Sequence, residues 1–165
     1  MYIRKFLLFA AAILMLAACD VNRVKEEYVN YDDGNWYFDS VAVFDFEILD
    51  PSQGYNVDYN LRNSLDYPYH NIFLRYELTD STGNVIKSDS SMEFMLMDAK
   101  TGEPFGETAS PKGTGIGVTY THQIPLLENF HFDKPGKYYF KLKQDMRLDT
   151  LSGIYGVGFR VEYND

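Results

Sequence analysis

The sequence predicts an all-β protein built as a single antiparallel β-sandwich, with the jelly roll among its candidate forms. Three observations carry this. Apolar and polar residues alternate with period two in five separate segments. Turn signals recur at intervals of roughly 10 to 15 residues, and no segment sustains a 3.6-residue period. Tyrosine (14) and phenylalanine (12) are abundant while alanine is rare beyond residue 18, a composition that suits pleated surfaces.

The chain opens with a different pattern. Arg4 and Lys5 supply positive charge, Phe6 to Ala18 is an uninterrupted run of 13 apolar residues, and small residues precede Cys19. This order predicts a secretory signal peptide over 1–18. The run is too short for a spanning helix, which needs about 20 residues. Its end, Leu16-Ala17-Ala18-Cys19, resembles the lipobox of bacterial lipoproteins. In those proteins the cysteine sulfur takes a diacylglyceryl group, the leader is cut before the cysteine, and the new amine is acylated, palmitate being a usual acyl group. Two or three chains give durable attachment where one gives only marginal binding. The rivals for Cys19 are weaker. A disulfide needs a second cysteine and the chain has one; a metal site needs clustered ligands, and the nearest histidine is His70. A core thiol leaves the charge–apolar–small–Cys order unexplained.

Residues 19–35 read as the lipidated cysteine and a polar, flexible tether, with Asp32-Asp33-Gly34-Asn35 as a turn signal. The sandwich is then expected over 36–165, opening at Trp36 and Tyr37. In "VAVFDFEIL" (41–49), Phe44, Phe46 and Ile48 oppose Asp45 and Glu47. In "YNVDYNLRN" (55–63), Tyr55, Val57, Tyr59 and Leu61 alternate strictly with Asn56, Asp58, Asn60 and Arg62. In "NIFLRYELT" (71–79), Ile72, Leu74, Tyr76 and Leu78 share a face. Residues 85–97 return as one or two strands carrying Met92, Phe94 and Leu96. The glycine-rich stretch 103–121 is indistinct, with a short strand at Val118 and Tyr120, and 124–132 reads as a strand followed by a loop. Tyr138, Phe140 and Leu142, then Val157, Phe159, Val161 and Tyr163, mark the last two strands. The total is seven to nine.

Charge excludes some partners. Loss of Arg4 and Lys5 with the leader takes the formal charge from −9 to −11. An acidic surface repels nucleic acid and anionic headgroups, so neither nucleic acid nor a basic membrane patch is expected. The catalytic search finds no G-x-S-x-G, H-E-x-x-H or P-loop. "GTGIG" (113–117) lacks the Lys-Ser/Thr ending and reads as a turn. His70, His122 and His131 match no short ligand spacing. No cofactor, metal or catalytic residue is expected.

One surface candidate remains. The segment "LRNSLDYPYHNIFL" (61–74) joins two strands through a loop carrying Asp66, Tyr67, Tyr69 and His70. With Trp36, its tyrosines have the rigid apolar body and polar tip of a platform for a sugar ring or a partner. The competing and preferred reading is that these rings cap the end of the core.

Several stretches carry a resemblance. "NRVKEEY" (22–28), Trp36, "YNVDYNLRNSLDYPYHNIFL" (55–74) and "GIYGVGFRVE" (153–162) are similar, in order, to the gliding-motility lipoprotein family GldH. The resemblance covers most of the chain after the leader and is least clear over 98–121. It implies a lipoprotein of the cell envelope, associated with gliding motility and with secretion of motility adhesins. It brings no enzymatic residues, and only the lipidated cysteine carries over, to Cys19.

Two expectations follow. The first is a non-enzymatic protein held by its lipid anchor at an envelope membrane and facing the periplasm, inner or outer membrane left open. It would work through contacts with envelope, motility or secretion proteins. The second is an envelope-anchored carbohydrate-binding module or weak glycan-processing protein.

Overall fold

A computed structural model describes residues 21–109 and 117–164. The elements are β1 (Arg23–Asn30), β2 (Asn35–Tyr37), β3 (Ala42–Ile48), β4 (Tyr55–Ser64), β5 (Asn71–Asp80), β6 (Val85–Met95), β7 (Glu107–Ala109), β8 (Thr119–Phe130), β9 (Gly136–Gln144), β10 (Thr150–Ser152) and β11 (Ile154–Tyr163). One sheet has five strands in the order β1-β11-β4-β8-β7, the other four in the order β3-β9-β5-β6, and β10 pairs with β2. Every pairing is antiparallel.

Eight strands remain when the three-residue β2, β7 and β10 are set aside. Numbered along the chain, they run 1-8-3-6 in the larger sheet and 2-7-4-5 in the smaller. That is jelly-roll order, two Greek keys folded into one sandwich. The all-β sandwich read from the sequence is the fold.

The apolar halves of the alternating strands face one another. Phe44, Phe46 and Ile48 of β3, Tyr138, Phe140 and Leu142 of β9, and Ile72, Leu74 and Leu78 of β5 line one side of the core. Tyr55, Val57, Tyr59 and Leu61 of β4 and Val157, Phe159 and Val161 of β11 line the other. Phe159 is the hub between the sheets. Its ring centre lies 5.7 Å from Phe44, 5.0 Å from Phe46 and 5.0 Å from Phe140. Such offset aromatic pairs add attraction beyond the area they bury.

The tether expected over 19–35 is corrected by the structure. Residues Arg23–Asn30 of it form β1, paired with β11 from Arg23↔Glu162 to Asn30↔Gly156 with a register shift between Arg23 and Lys25. Asn35 and Trp36 belong to β2, so the sandwich starts at 23 rather than 36. The reason lies in the inner face of β1. Lys25 and Glu27 sit opposite Val161 and Phe159, where a buried strand would carry apolar residues. β1 is an edge, however, and Lys25 reaches across the open side of the sandwich to the carbonyl of Asp45 on β3. It also pairs with Glu27 at 2.8 Å. Charge on an edge strand blocks further pairing, and it also hides the alternation from a reader of sequence.

One other segment differs from expectation. β8 is one twelve-residue strand from Thr119 to Phe130 where a short strand and a separate strand–loop were expected. Pro125 is tolerated because β7 covers β8 only at Thr119–Thr121, leaving β8 an edge further along. β2 and β10 pair across Leu151↔Trp36 and close one end of the sandwich.

One histidine is structural. His122 on β8 is 5 % exposed, and its Nε2 lies 2.8 Å from Oδ1 of the fully buried Asn63. Burial pushes its pKa down to about 4, so the fold holds a neutral ring donating to that amide oxygen.

Two predictions follow from this packing. Phe159→Ala removes the hub and lowers stability by about 3–5 kcal/mol in chemical denaturation; a loss under about 1 kcal/mol would contradict its place. His122 gives a pH dependence. Its folded pKa lies below the ordinary 6.5, so the unfolded chain binds more protons between pH 6.5 and 4. Its contribution is whole above pH 6.5 and is lost as pH falls toward 4, by about 2–3 kcal/mol in all. Asp58, whose carboxyl burial pushes upward, acts in the opposite sense but is common to both proteins in the test. Denaturation at pH 7 and pH 4.5 shows a smaller drop for His122→Gln than for the parent.

Candidate functional site

Cys19, the expected lipid-attachment residue, lies outside the described residues. The fold nevertheless shows where the chain arrives from it. The amide of Tyr163 donates to the carbonyl of Asn22 at 2.8 Å, so the chain joins the sandwich at the start of β1, beside the end of β11. We call this the entry end. The β3–β4, β5–β6 and β8–β9 connections lie there too, as the pairings Ile48↔Gly136, Asp80↔Tyr138 and Tyr55↔Phe130 require.

The candidate loop 64–70 lies at the opposite end. Trp36 and Tyr67 are 0 % and 2 % exposed. Trp36 donates its indole N–H to the carbonyl of Ser40 at 2.9 Å and stacks on Tyr31. Tyr67 donates its hydroxyl to the carbonyl of Asn71 at 2.8 Å. Each ring is buried because its polar tip finds a backbone acceptor. Gly153, at φ +82°, passes so close to the Tyr67 backbone that a Cβ would stand 2.5 Å from its nitrogen. This holds the loop against the β10–β11 turn. Trp36 and Tyr67 therefore plug the core and leave the candidate surface, and no aromatic platform forms from them.

Asp66, Tyr69 and His70 remain exposed, with Leu65 beside them. Tyr69 meets Tyr67 edge-on at 5.7 Å. The His70 carbonyl accepts from the amides of Leu96 and Met97 at 2.8 and 3.2 Å. The loop is thus a braced cap presenting Leu65, Asp66, Tyr69 and His70 to solvent. The three histidines are scattered: His70 at the cap, His122 beside the core, His131 exposed at the entry end. Among the described residues, no three His, Cys, Asp or Glu side chains are arranged to hold a metal ion.

Sequence reasoning missed the outer face of the five-stranded sheet. Strict alternation predicted Asp58 and Asn60 as solvent-facing, yet they are 7 % and 1 % exposed. The pairing aligns side chains in rows across four strands. One row runs Glu26, Arg160, Asp58, Pro125; the next runs Tyr28, Gly158, Asn60, Gln123. Tyr28 lies flat over Gly158, where a Cβ would stand 2.7 Å from its ring, and the Arg62 guanidinium sits 5.0 Å from the ring centre. Arg160 bonds Glu162 at 2.7 Å, and Gln123 donates to Asp58 at 2.6 Å. These interactions cover the middle strands. The signal was Gly156 and Gly158, two residues apart on one face of β11.

Beside this belt is a concavity of about 480 Å³, lined by Glu26, Asn60, Gln123, Met95 and Phe105 among others. Asn60 donates its Nδ2 to Glu26 at 3.3 Å, and its Oδ1 has no partner among the described residues. The surface offers hydrogen-bond acceptors and a few apolar groups, which suits recognition.

The model of the family described as GldH lipoprotein matches residues 23–161, beginning where β1 begins. A protein of Christiangramia forsetii called "Gliding motility lipoprotein GldH homolog" is 32 % identical over 165 residues, covering 96 % of this chain and 94 % of its own. "Gliding motility lipoprotein GldH" of Flavobacterium johnsoniae is 33 % identical over 168 residues, covering 96 % of each. Among solved structures, one of infectious bursal disease virus, Gx strain, aligns with 84 % of this chain and 32 % of its own at 12 % identity and a TM-score of 0.37, too distant to extend to function. The chain belongs to the GldH lipoprotein family.

Proposed function

We propose that this protein is fastened to an envelope membrane through a thioether at Cys19 and serves gliding motility and its associated secretion machinery through protein contacts. One observation carries the reading. A leader of charge, apolar run, small residues and cysteine precedes a chain whose full-length relatives are named gliding motility lipoproteins. The anchored domain faces the periplasm. Confinement to a membrane face raises its effective concentration toward other envelope proteins without any new contact.

A non-enzymatic role fits the way its polar groups are used. His122 and Asn63 satisfy one another in the core, and Glu26, Arg160, Glu162, Asp58 and Gln123 are engaged in covering a sheet. The carbohydrate-binding alternative depended on an exposed aromatic pair containing Trp36 with Tyr67 or Tyr69, and the burial of Trp36 removes that pair. The exposed cap residues Leu65, Asp66, Tyr69 and His70 are the proposed partner-facing surface.

The anchor is tested by intact-mass spectrometry of native protein. The expected species begins at Cys19 and carries two or three acyl chains, while Cys19→Ser loses the modification and keeps the fold. An unmodified chain that washes from membranes would overturn the proposal. The cap is tested by Tyr69→Ala combined with His70→Ala. Stability changes by no more than about 0.5 kcal/mol per site, while crosslinking to envelope proteins in intact cells and surface spreading both fall. Unchanged crosslinking and spreading would remove the cap from the account.

A further inference from the structure

The structure leaves almost no slack between Cys19 and the folded domain. Asn22 is already bonded to Tyr163, and β1 is paired from Arg23. Three residue steps separate Cys19 from Asn22, a span of about 11 Å at full extension. A lipid at Cys19 therefore holds the entry end of the sandwich within reach of the headgroups, whichever way the intervening residues run.

The surface of that end suits the position. Val21 and Leu49, 84 % and 72 % exposed, are the two most exposed large apolar side chains among the described residues. β1 passes antiparallel to β3, with Lys25 on Asp45, and this brings residues 21 and 49 toward one corner. Val85 and Ile86, also exposed, start β6 at the same end. Rings of Phe46, Tyr55, Phe130, Phe132 and Tyr138 seal the core just behind.

Charge separates the two ends. Counted on the connections alone, the entry end carries Asp50, Asp133 and Lys134, whereas the opposite end carries Asp32, Asp33, Asp39, Asp66, Asp98, Glu103, Asp145 and Asp149 against Lys100 and Arg147. An anionic surface repels that acidic end and admits the mixed one.

We infer that the entry end lies on the bilayer, with Val21 and Leu49 in its headgroup region, and that the cap is held at the far end of the sandwich. The inference rests on lipidation at Cys19. β11 alone is ten residues long, so the cap stands about 30 Å above the surface.

The test uses the full lipidated chain in vesicles of phosphatidylethanolamine and phosphatidylglycerol carrying a nitroxide quencher on the headgroup. Fluorophores are placed on Ser81→Cys, in the β5–β6 turn, or on Tyr69→Cys, in the cap. The Cys19 sulfur is occupied, so the introduced thiol is the one labelled. Flotation comes first: protein that fails to rise with vesicles overturns the anchor itself, and the orientation with it. In the floated protein, quenching at 81 is expected to exceed quenching at 69 by about threefold or more, given the strand-length separation. Equal quenching, or stronger quenching at 69, overturns the orientation while leaving the anchor intact.

Discussion

Strand β11 is paired along both of its edges, with β1 on one side and β4 on the other, and the rest of the molecule depends on that double pairing. A strand bonded on both edges has no free backbone groups to desolvate and cannot slip register without turning its side chains to the wrong face. With register set, Phe159 points into the core against Phe44, Phe46 and Phe140, and the two sheets are locked together. Gly156 and Gly158 then fall on the outer face, where the absence of side chains lets Tyr28 lie across the sheet.

The same pairing joins architecture to location. Because β1 is part of the sheet, the chain is held from Arg23 onward and any attachment at Cys19 acts on the domain almost directly. A long leader would let the sandwich tumble on its lipid. A short one would turn a point attachment into an orientation, with the braced cap of Leu65, Asp66, Tyr69 and His70 at the opposite end. In an envelope crowded with other proteins, fixing which end faces outward would be a form of preorganisation, lowering the rotational freedom lost on association.

Much of this was legible in the sequence. Period two in β3, β4, β5, β9 and β11 identified their core faces residue by residue, since a half-buried strand next to a single core can hide its apolar residues in one way only. The proposed leader and Cys19 attachment come from sequence order alone, since membrane export imposes its own order of charge, apolar length and small residues. What escaped were positions governed by neighbours distant in sequence. β1 looked like a tether because its inner positions, Lys25 and Glu27, answer to the open edge beside β3. Asp58 and Asn60 looked solvated because alternation says nothing about Tyr28 and Arg160 arriving from other strands to cover them. For Trp36 and Tyr67 the preferred reading, rings capping the end of the core, is what the fold holds, while their acceptors, the carbonyls of Ser40 and Asn71, are backbone atoms that residue type does not reveal.

The central claim is that the folded domain begins at β1, directly after the proposed anchor. Hydrogen–deuterium exchange of the native protein, resolved by peptide, tests it most directly. The account predicts that amides of 23–30 facing β11 exchange on the same slow scale as those of β4 and β11, by opening of the whole sandwich. Exchange of 23–30 at the rate of an unstructured chain, with β4 and β11 still protected, would contradict it.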